Sequence, residues 1–224
     1  GADLSLVRHI DGPTGTALIL VGGDGENMIA VIPGANGQVT PADAEQAVAA
    51  MATTDTLVLQ MEIPEAAIEA ALKAARTRGV RSVLNIAPLT DAVERLAPLA
   101  DIVIANETEF ARLSGRPAET PEAARTELTT LHASTGQCMI VTLGSDGVLW
   151  ARDGKVEHVA SLKIKPVDTV GAGDTFCGYL AQGLDAGMEF AAAVRRAAVA
   201  GALACLKPGA QPSIPLSADV DARL

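Results

Sequence analysis

From residue 36 onward, short runs that are apolar on consecutive residues alternate with longer Ala-rich stretches, and no feature constrains the fold of this chain more. Leu57-Val58-Leu59 and Ile102-Val103-Ile104 are runs of this kind. A strand with one wet face alternates apolar and polar side chains. An unbroken apolar run fits a parallel strand covered by helices on both faces. Strands are expected over 56–60, 81–86, 102–105, 139–143 and 148–151. Helices are expected over 65–78, closed by Gly79, over 91–97 and 107–113, from Thr120-Pro121-Glu122 to about His132, and over 172–184 and 189–206. Thr40-Pro41-Ala42-Asp43 opens a further helix, with Thr40 as N-cap, Pro41 in the first helical position and Asp43 in the first turn. This alternation specifies an α/β fold, a doubly wound α/β sandwich.

The pattern is different before residue 36. Two β-prone runs, 16–21 and 28–32, flank the turn-rich Gly22-Gly23-Asp24-Gly25-Glu26-Asn27. They read as a β-hairpin standing off the main body as a flap. The expected organisation is a small β lid over residues 1–36 and an α/β domain over 37–224.

The 224 residues, 49% of them hydrophobic, are enough for one well-buried core. A formal net charge of -10 repels a phosphate backbone and argues against nucleic acid as a partner. Cys138, Cys177 and Cys205 are far apart and form no CxxC or Cys/His ligand pattern, so buried thiols are expected rather than zinc or disulfides. Such thiols suit a reducing, cytoplasmic location. His9, His132 and His158 are isolated in the sequence. No apolar run reaches membrane-spanning length, so no membrane partner is expected. Gly1-Ala2-Asp3-Leu4 lacks the basic flank and apolar stretch of a signal peptide. Gly1 does not resemble a natural start, and targeting information can lie upstream.

In doubly wound sheets ligands bind beyond the carboxyl ends of the strands. Four polar segments follow apolar strands or open the last helices: 60–62, 106–109, 142–147 and 168–174. The sharpest is Asp168-Thr169-Val170-Gly171-Ala172-Gly173-Asp174-Thr175-Phe176. Its small residues let the backbone N–H groups of Gly171 to Gly173 converge on an anion at the positive end of a helix. Asp174, in the first helical turn, can accept the proton of a hydroxyl that attacks phosphorus. A glycine turn followed by an ordinary first-turn acid would carry the same residues.

This segment resembles the DTxGAGD signature of the ribokinase (PfkB-type) sugar kinase family. Further motifs of that family occur in order. Asn106-Glu107-Thr108-Glu109 resembles its NxxE motif, and Thr142-Leu143-Gly144-Ser145-Asp146-Gly147 its T-L-G-x-x-G nucleotide loop. Lys207-Pro208-Gly209-Ala210-Gln211-Pro212-Ser213-Ile214-Pro215 resembles its closing GA-x-P-S segment. Pro33-Gly34-Ala35-Asn36 and Leu59-Gln60-Met61-Glu62-Ile63-Pro64 point to the ribokinase branch.

The resemblance implies a ribokinase-like fold and ATP-dependent phosphorylation of a sugar hydroxyl, with D-ribose to ribose 5-phosphate as the leading reaction. It implies Asp174 as catalytic base and Gly171, Ala172 and Gly173 as the anion hole. Asn106 and Glu109 would organise Mg²⁺ around the phosphates, and Asn106 could equally be a helix N-cap. Thr142, Gly144, Ser145, Asp146 and Gly147 would hold the nucleotide, together with Gly173. Glu62 would bind a sugar hydroxyl, or be a surface carboxylate at a strand end. Asp168, the carbonyls of Val170, Ala204, Lys207 and Gly209, and the Ser213 hydroxyl would form a K⁺ site. A loop-to-loop hydrogen-bond clasp would use the same residues. The implied partners are a small-molecule sugar, ATP and a second copy of the chain, paired as a homodimer through the β lid.

The sequence also departs from the family. The first β-α units, a sugar-binding Asp and a Gly-Gly-Lys-Gly-Ala-Asn stretch are not in it. Ala198 stands where relatives often carry His or Asn near adenine. A Walker A motif is absent, which argues against a P-loop kinase. Kinases of this type for another sugar or a nucleoside, and a non-catalytic nucleotide-binding or dimerising module, stay open as alternatives.

Overall fold

A computed structural model describes residues 2–21, 27–118 and 120–224. Strands β1 (Thr16–Val21) and β2 (Asn27–Ile32) pair antiparallel, from Thr16 opposite Ile32 to Val21 opposite Asn27, as a two-stranded sheet of their own. The expected hairpin is therefore present, and residues 22–26 of its turn lie outside the described residues. Leu18, Val31 and Ile32 are exposed on it.

The main sheet contains six strands in chain order: β3 (Thr56–Leu59), β4 (Arg81–Asn85), β5 (Ile102–Asn106), β6 (Cys138–Thr142), β7 (Val148–Arg152) and β8 (Lys155–Val159). β3 to β6 are parallel, and β7 and β8 are added antiparallel. Parallel strands added in one direction through right-handed crossovers leave their helices on one face. Helices α2 (Glu65–Arg78), α3 (Val93–Leu96), α4 (Glu107–Ser114) and α5 (Pro121–Thr135) contribute to one apolar cluster on that face. The other face is covered by α6 (Ala172–Asp185) and α7 (Phe190–Ala204), which follow the last strand.

Alternate residues along each central strand enter different clusters, as a period of two requires. Leu84, Val103, Met139, Val141 and Leu149 pack with Ile68, Leu72, Phe110 and Leu128. Val83, Ile102, Ile104, Ile140 and Trp150 pack with Phe176, Leu180 and Val194. Each fully buried Leu, Ile or Phe contributes about 1.5–3 kcal/mol relative to exposure.

The edges of the sheet differ from expectation. β3 forms one edge, and Val58 is exposed there despite its apolar neighbours. The other edge, β8, has no unbroken apolar run. Its Lys155, Glu157 and His158 face solvent, so consecutive hydrophobicity does not reveal it. Helix α1 (Pro41–Ala49) begins at a capping box in which Thr40 Oγ1 accepts from the Asp43 N–H and the Asp43 carboxylate accepts from the Thr40 N–H. Gly79 closes α2 at φ 70. α3 is shorter than the expected 91–97 and passes into a single 3-10 turn, Ala97–Leu99, where Pro98 has no N–H to continue the helix. The chain ends on α8 (Ser217–Asp221), which the sequence pattern does not reveal. All three cysteines are free, and only Cys177 is fully buried. Among the described residues no helix is long and apolar enough to cross a membrane.

Candidate active site

The parallel strands direct their carboxyl ends to one edge of the sheet, and the polar segments singled out in the sequence gather there. Asn106 ends β5 and caps α4. Its Oδ1 accepts from the Glu109 N–H at 2.8 Å, and its own N–H donates to Glu109 Oε2 at 2.9 Å. This reciprocal pair satisfies two donors at the helix start. It also draws the Glu109 carboxylate inward, where burial raises its pKa, opposed by the Asn106 hydrogen bond and reinforced by Glu107.

Thr142 ends β6, with its hydroxyl turned to the Ala105 carbonyl at 3.4 Å. Leu143 to Gly147 then form a tight loop closed by Leu143 N–H to Gly147 O at 2.8 Å. Gly144 and Gly147 have φ of 53 and 93. At Gly147 a side chain is excluded twice over, because a Cβ there would lie 2.1 Å from the Val159 carbonyl oxygen.

Gly171 caps α6 at φ 77, a conformation that favours glycine, and an added Cβ would meet Ala210 Cα at 3.0 Å. The Ala172 N–H turns back to the Thr169 carbonyl at 3.3 Å, and the Thr175 N–H bonds Gly171. The N–H groups of Gly173 and Asp174 belong to the first helical turn, where no intrahelical acceptor exists. They are available to an anion beside the exposed Asp174 carboxylate. Burial pushes the Cys177 thiol up to about 12, and the carboxylates of Asp174 and Glu109 both add to the effect. The starts of α4 and α6 are thus electrostatic neighbours across that thiol.

The loop before α6 is tied to the loop after α7. Asp168 Oδ1 accepts from the Val170 N–H at 3.0 Å, and Oδ2 accepts from the Gly209 N–H at 2.8 Å. The buried Ser213 donates its hydroxyl to the Ala210 carbonyl at 2.7 Å. The hydrogen-bond clasp is therefore formed. The Val170, Lys207 and Gly209 carbonyls accept no backbone hydrogen bond among the described residues, and that of Ala204 accepts only a long one, 3.5 Å, from the Lys207 N–H. Glu62 follows β3 and is exposed. Its N–H donates to Gln60 Oε1, and its carboxylate has no partner among the described residues. Ala198 is half-buried against the α6–α7 cluster.

One supporting residue escapes the sequence pattern. Arg196 is buried on α7 and donates to Asp221 Oδ1 at 3.1 Å, Gln182 Oε1 at 2.6 Å and Ser217 Oγ at 2.6 Å. Its guanidinium also stacks over the Tyr179 ring at 5.0 Å. Tyr179 in turn donates to the Pro215 carbonyl at 2.8 Å. The grip fastens the segment that follows Ser213 onto α6 and α7. The signal in the sequence is a pair of arginines, Arg195-Arg196, inside the otherwise apolar α7. An open hollow of about 450 Å³ runs from Asp174 along α6 to Arg196. The buried Thr175 hydroxyl at its wall has no hydrogen-bond partner among the described residues.

The sequence pattern of the family described as pfkB family carbohydrate kinase matches residues 3–216. Ribokinase of Staphylococcus aureus is 34% identical over 217 residues, covering 96% of this chain and 71% of that protein. Ribokinase of Haemophilus influenzae is 35% identical over 202 residues, covering 90% of this chain and 66% of that protein. In three dimensions the chain is similar to Arabidopsis thaliana ribokinase complexed with ribose and ATP. That structure has a TM-score of 0.81 and 30% identity, with 95% of this chain and 69% of the other covered. The chain thus spans about two thirds of the length of these relatives. Its matched motifs converge on one edge of a sheet with the same fold, and the chain belongs to the pfkB family of carbohydrate kinases.

Proposed function

We propose that the chain carries the nucleotide-binding and catalytic machinery for transfer of the ATP γ-phosphoryl group to a sugar hydroxyl, with D-ribose as acceptor and ribose 5-phosphate as product. The observation that carries this reading is the start of α6. There the unpartnered N–H groups of Gly173 and Asp174 lie beside the exposed Asp174 carboxylate, at the edge that also holds Asn106, Glu109 and the 142–147 loop. The Arabidopsis relative, complexed with ribose and ATP, supports the choice of acceptor.

In this reading Asp174 takes the proton of the attacking hydroxyl, and the free N–H groups of Gly173 and Asp174 stabilise the charge that develops on the transferred group. Gly171 supplies the turn, and the Ala172 N–H is held by the Thr169 carbonyl rather than joining the anion hole expected over Gly171 to Gly173. Glu62 holds another sugar hydroxyl. The 142–147 loop and Gly173 seat the nucleotide. Mg²⁺ retains most of its waters and needs only one or two carboxylates. Glu109 fits that demand, since one of its oxygens is committed to the capping box and the other is not. A bound Mg²⁺ would neutralise phosphate charge there, with Asn106 orienting its waters. The oxygens around Asp168 and Ser213 are hard donors that fit K⁺. They are the carbonyls of Val170, Ala204, Lys207 and Gly209 with the Ser213 hydroxyl. K⁺ held there would stiffen the loop that presents Gly171 to Gly173.

Residues 1–36 form the lid of the sugar site, and residues 37–224 the catalytic domain. The separate β1–β2 sheet, with Leu18, Val31 and Ile32 exposed, is the surface through which two copies pair. The free cysteines fit a cytoplasmic location. A coupled assay with ATP, Mg²⁺ and K⁺ over ribose, other sugars and nucleosides tests the reading on the full-length protein. Preferred turnover of ribose is expected. Preferred turnover of a nucleoside would reassign the acceptor, and no transfer to any acceptor would leave a non-catalytic nucleotide-binding module.

A further inference from the structure

We propose that His158 is a positioning residue for the 142–147 loop and sets its affinity for the nucleotide. The inference rests on the reading of that loop as the nucleotide seat. His158 lies on the edge strand β8, opposite Leu149 of β7. Its Nε2 is 2.6 Å from the carbonyl oxygen of Asp146. A carbonyl only accepts, so the ring donates through Nε2–H. The neutral Nε2–H tautomer and the imidazolium both supply that proton.

The contact matters because of what the Asp146 carbonyl belongs to. It is half of the peptide unit joining Asp146 to Gly147, and fixing its oxygen fixes the direction of the Gly147 N–H. The loop's own bonds, Asp146 N–H to Leu143 O at 2.9 Å and Gly147 N–H to Gly144 O at 3.2 Å, do not engage that oxygen. Gly147 adopts φ 93 and ψ -135, which leaves the peptide unit little intrinsic preference for its orientation. The next residue of β8 presses on the same point, since a Cβ at Gly147 would lie 2.1 Å from Val159 O and 2.7 Å from Ser161 N. Two successive residues of β8 therefore template the loop, one through a side chain and one through backbone contact. Loss of the side-chain bond leaves the 146–147 peptide held at one end only, by the 3.2 Å bond from the Gly147 N–H to Gly144 O, and nucleotide binding then has to restore the orientation that the two bonds fix together.

The test compares His158→Ala and His158→Gln with wild type in the full-length protein. A glutamine amide can reach the position of Nε2 and donate in its place. His158→Ala is expected to raise Kd and KM for ATP by about three- to tenfold, the range one hydrogen bond spans. kcat and KM for the sugar should stay within about twofold on the same hydrogen-bond scale, and His158→Gln should recover most of the ATP affinity. Amide exchange at Gly144 to Gly147 with and without ATP separates the two levels of the argument. ATP protection of these amides in wild type, with unchanged ATP affinity in His158→Ala, overturns the role of His158 alone. Equal losses in kcat and in affinity for both substrates, not recovered by His158→Gln, also overturn it. Absence of ATP protection at the loop in wild type overturns the nucleotide-seat reading and the inference with it.

Discussion

Asp168 and Gly209 are 41 residues apart in the chain and are joined by a 2.8 Å hydrogen bond from the Gly209 N–H to Asp168 Oδ2. With the Val170 N–H on the other carboxylate oxygen, one side chain orders the loop that enters α6 and fastens it to the loop that leaves α7. Gly171 packs on Ala210 at the same junction, so the start of α6 inherits its position from a long-range contact rather than from its own sequence.

A pH dependence follows. The Val170 and Gly209 donors favour the ionised carboxylate and hold Asp168 below the usual carboxylate range. A depressed folded-state pKa contributes stability that is fully present above the ordinary value of about 3.9. That contribution is lost as pH falls through the lower folded value. Asp168→Asn should lower the melting temperature at neutral pH, and the gap from wild type should close below about pH 4, where the unfolded-state group titrates. Thermal melts of both proteins from neutral pH down through the ordinary carboxylate titration, about pH 3.9, check this. A constant gap across the range would contradict it.

The same junction predicts cation selectivity. The hydrogen-bond clasp and a K⁺ site use overlapping oxygens, and the Val170, Lys207 and Gly209 carbonyls have no backbone donor among the described residues. KCl should raise activity above NaCl at equal ionic strength, and Asp168→Asn should erase the difference. Equal wild-type rates in the two salts would leave the clasp as the whole role of Asp168.

Asp174→Asn keeps the shape of the α6 start and its free N–H groups, and removes only the carboxylate proposed as the proton acceptor. Phosphoryl transfer should fall by roughly 10²–10⁴-fold, the usual loss of a general base. ATP affinity measured by calorimetry should hold. Near-normal turnover in the variant would exclude Asp174 as the base.

How much of this was legible in the sequence depends on where each constraint originates. Local chemistry was readable. The Thr40–Asp43 capping box, the Gly79 stop and the buried faces of β4 to β6 follow from residue type and period. Asn106 was legible both as a helix cap and as a site residue, and in the structure it caps α4. The strand pattern placed the candidate segments beyond the carboxyl ends of the strands, because strand ends are recognisable by where apolar runs stop, and the motif resemblance then attached roles to them. Contacts that cross the chain were not legible. β8 carries polar side chains because it is an edge, so no strand is expected there from the apolar pattern. The Arg196 grip joins α6, α7 and α8, and the arginine pair in α7 signals a polar contact without showing which residues of α6 and α8 it takes. Val58 shows the opposite error, an apolar residue assigned to the interior by its neighbours and left exposed on the edge strand.

Two glycines separate packing from chemistry. At Gly147 the backbone has φ 93, and a Cβ would strike Val159 O at 2.1 Å. Gly147→Ala should destabilise the fold by about 1–3 kcal/mol or more, through strain at that conformation plus displacement of β8. At Gly173 nothing lies within 4 Å of the point a Cβ would occupy, and φ is not in the left-handed range. Gly173→Ala should leave the fold intact and stiffen α6 by about 0.5–1 kcal/mol. Its methyl group would stand beside the N–H groups proposed to receive the anion, and a displacement of the reacting group on the order of 1 Å can lower turnover by about 10²-fold. Chemical denaturation and steady-state assays on both variants check the split. A stable, active Gly147→Ala protein would show that β8 does not press on the loop as described.

Glu109 should trade stability for function. Burial raises its pKa, so the folded protein holds its proton more tightly than the unfolded chain does. Stability is then reduced as pH rises through the ordinary glutamate range of about 4.3 and beyond, because the buried group must ionise. Glu109→Gln removes that burden. Its amide oxygen can still accept the Asn106 N–H, which keeps the capping box closed. The variant should therefore melt at or above the wild-type temperature at neutral pH and gain nothing at about pH 4, below the ordinary glutamate value. What it loses is the carboxylate proposed to organise Mg²⁺, and loss of such a group typically lowers metal affinity or activity by about 10–100-fold. Raising Mg²⁺ should recover part of the lost rate. Melting curves at the two pH values, paired with rate measurements over a Mg²⁺ titration, check both halves. A variant that melts lower at neutral pH would mean that the ionised carboxylate stabilises the α4 start. Unchanged rates at every Mg²⁺ level would remove Glu109 from the metal site.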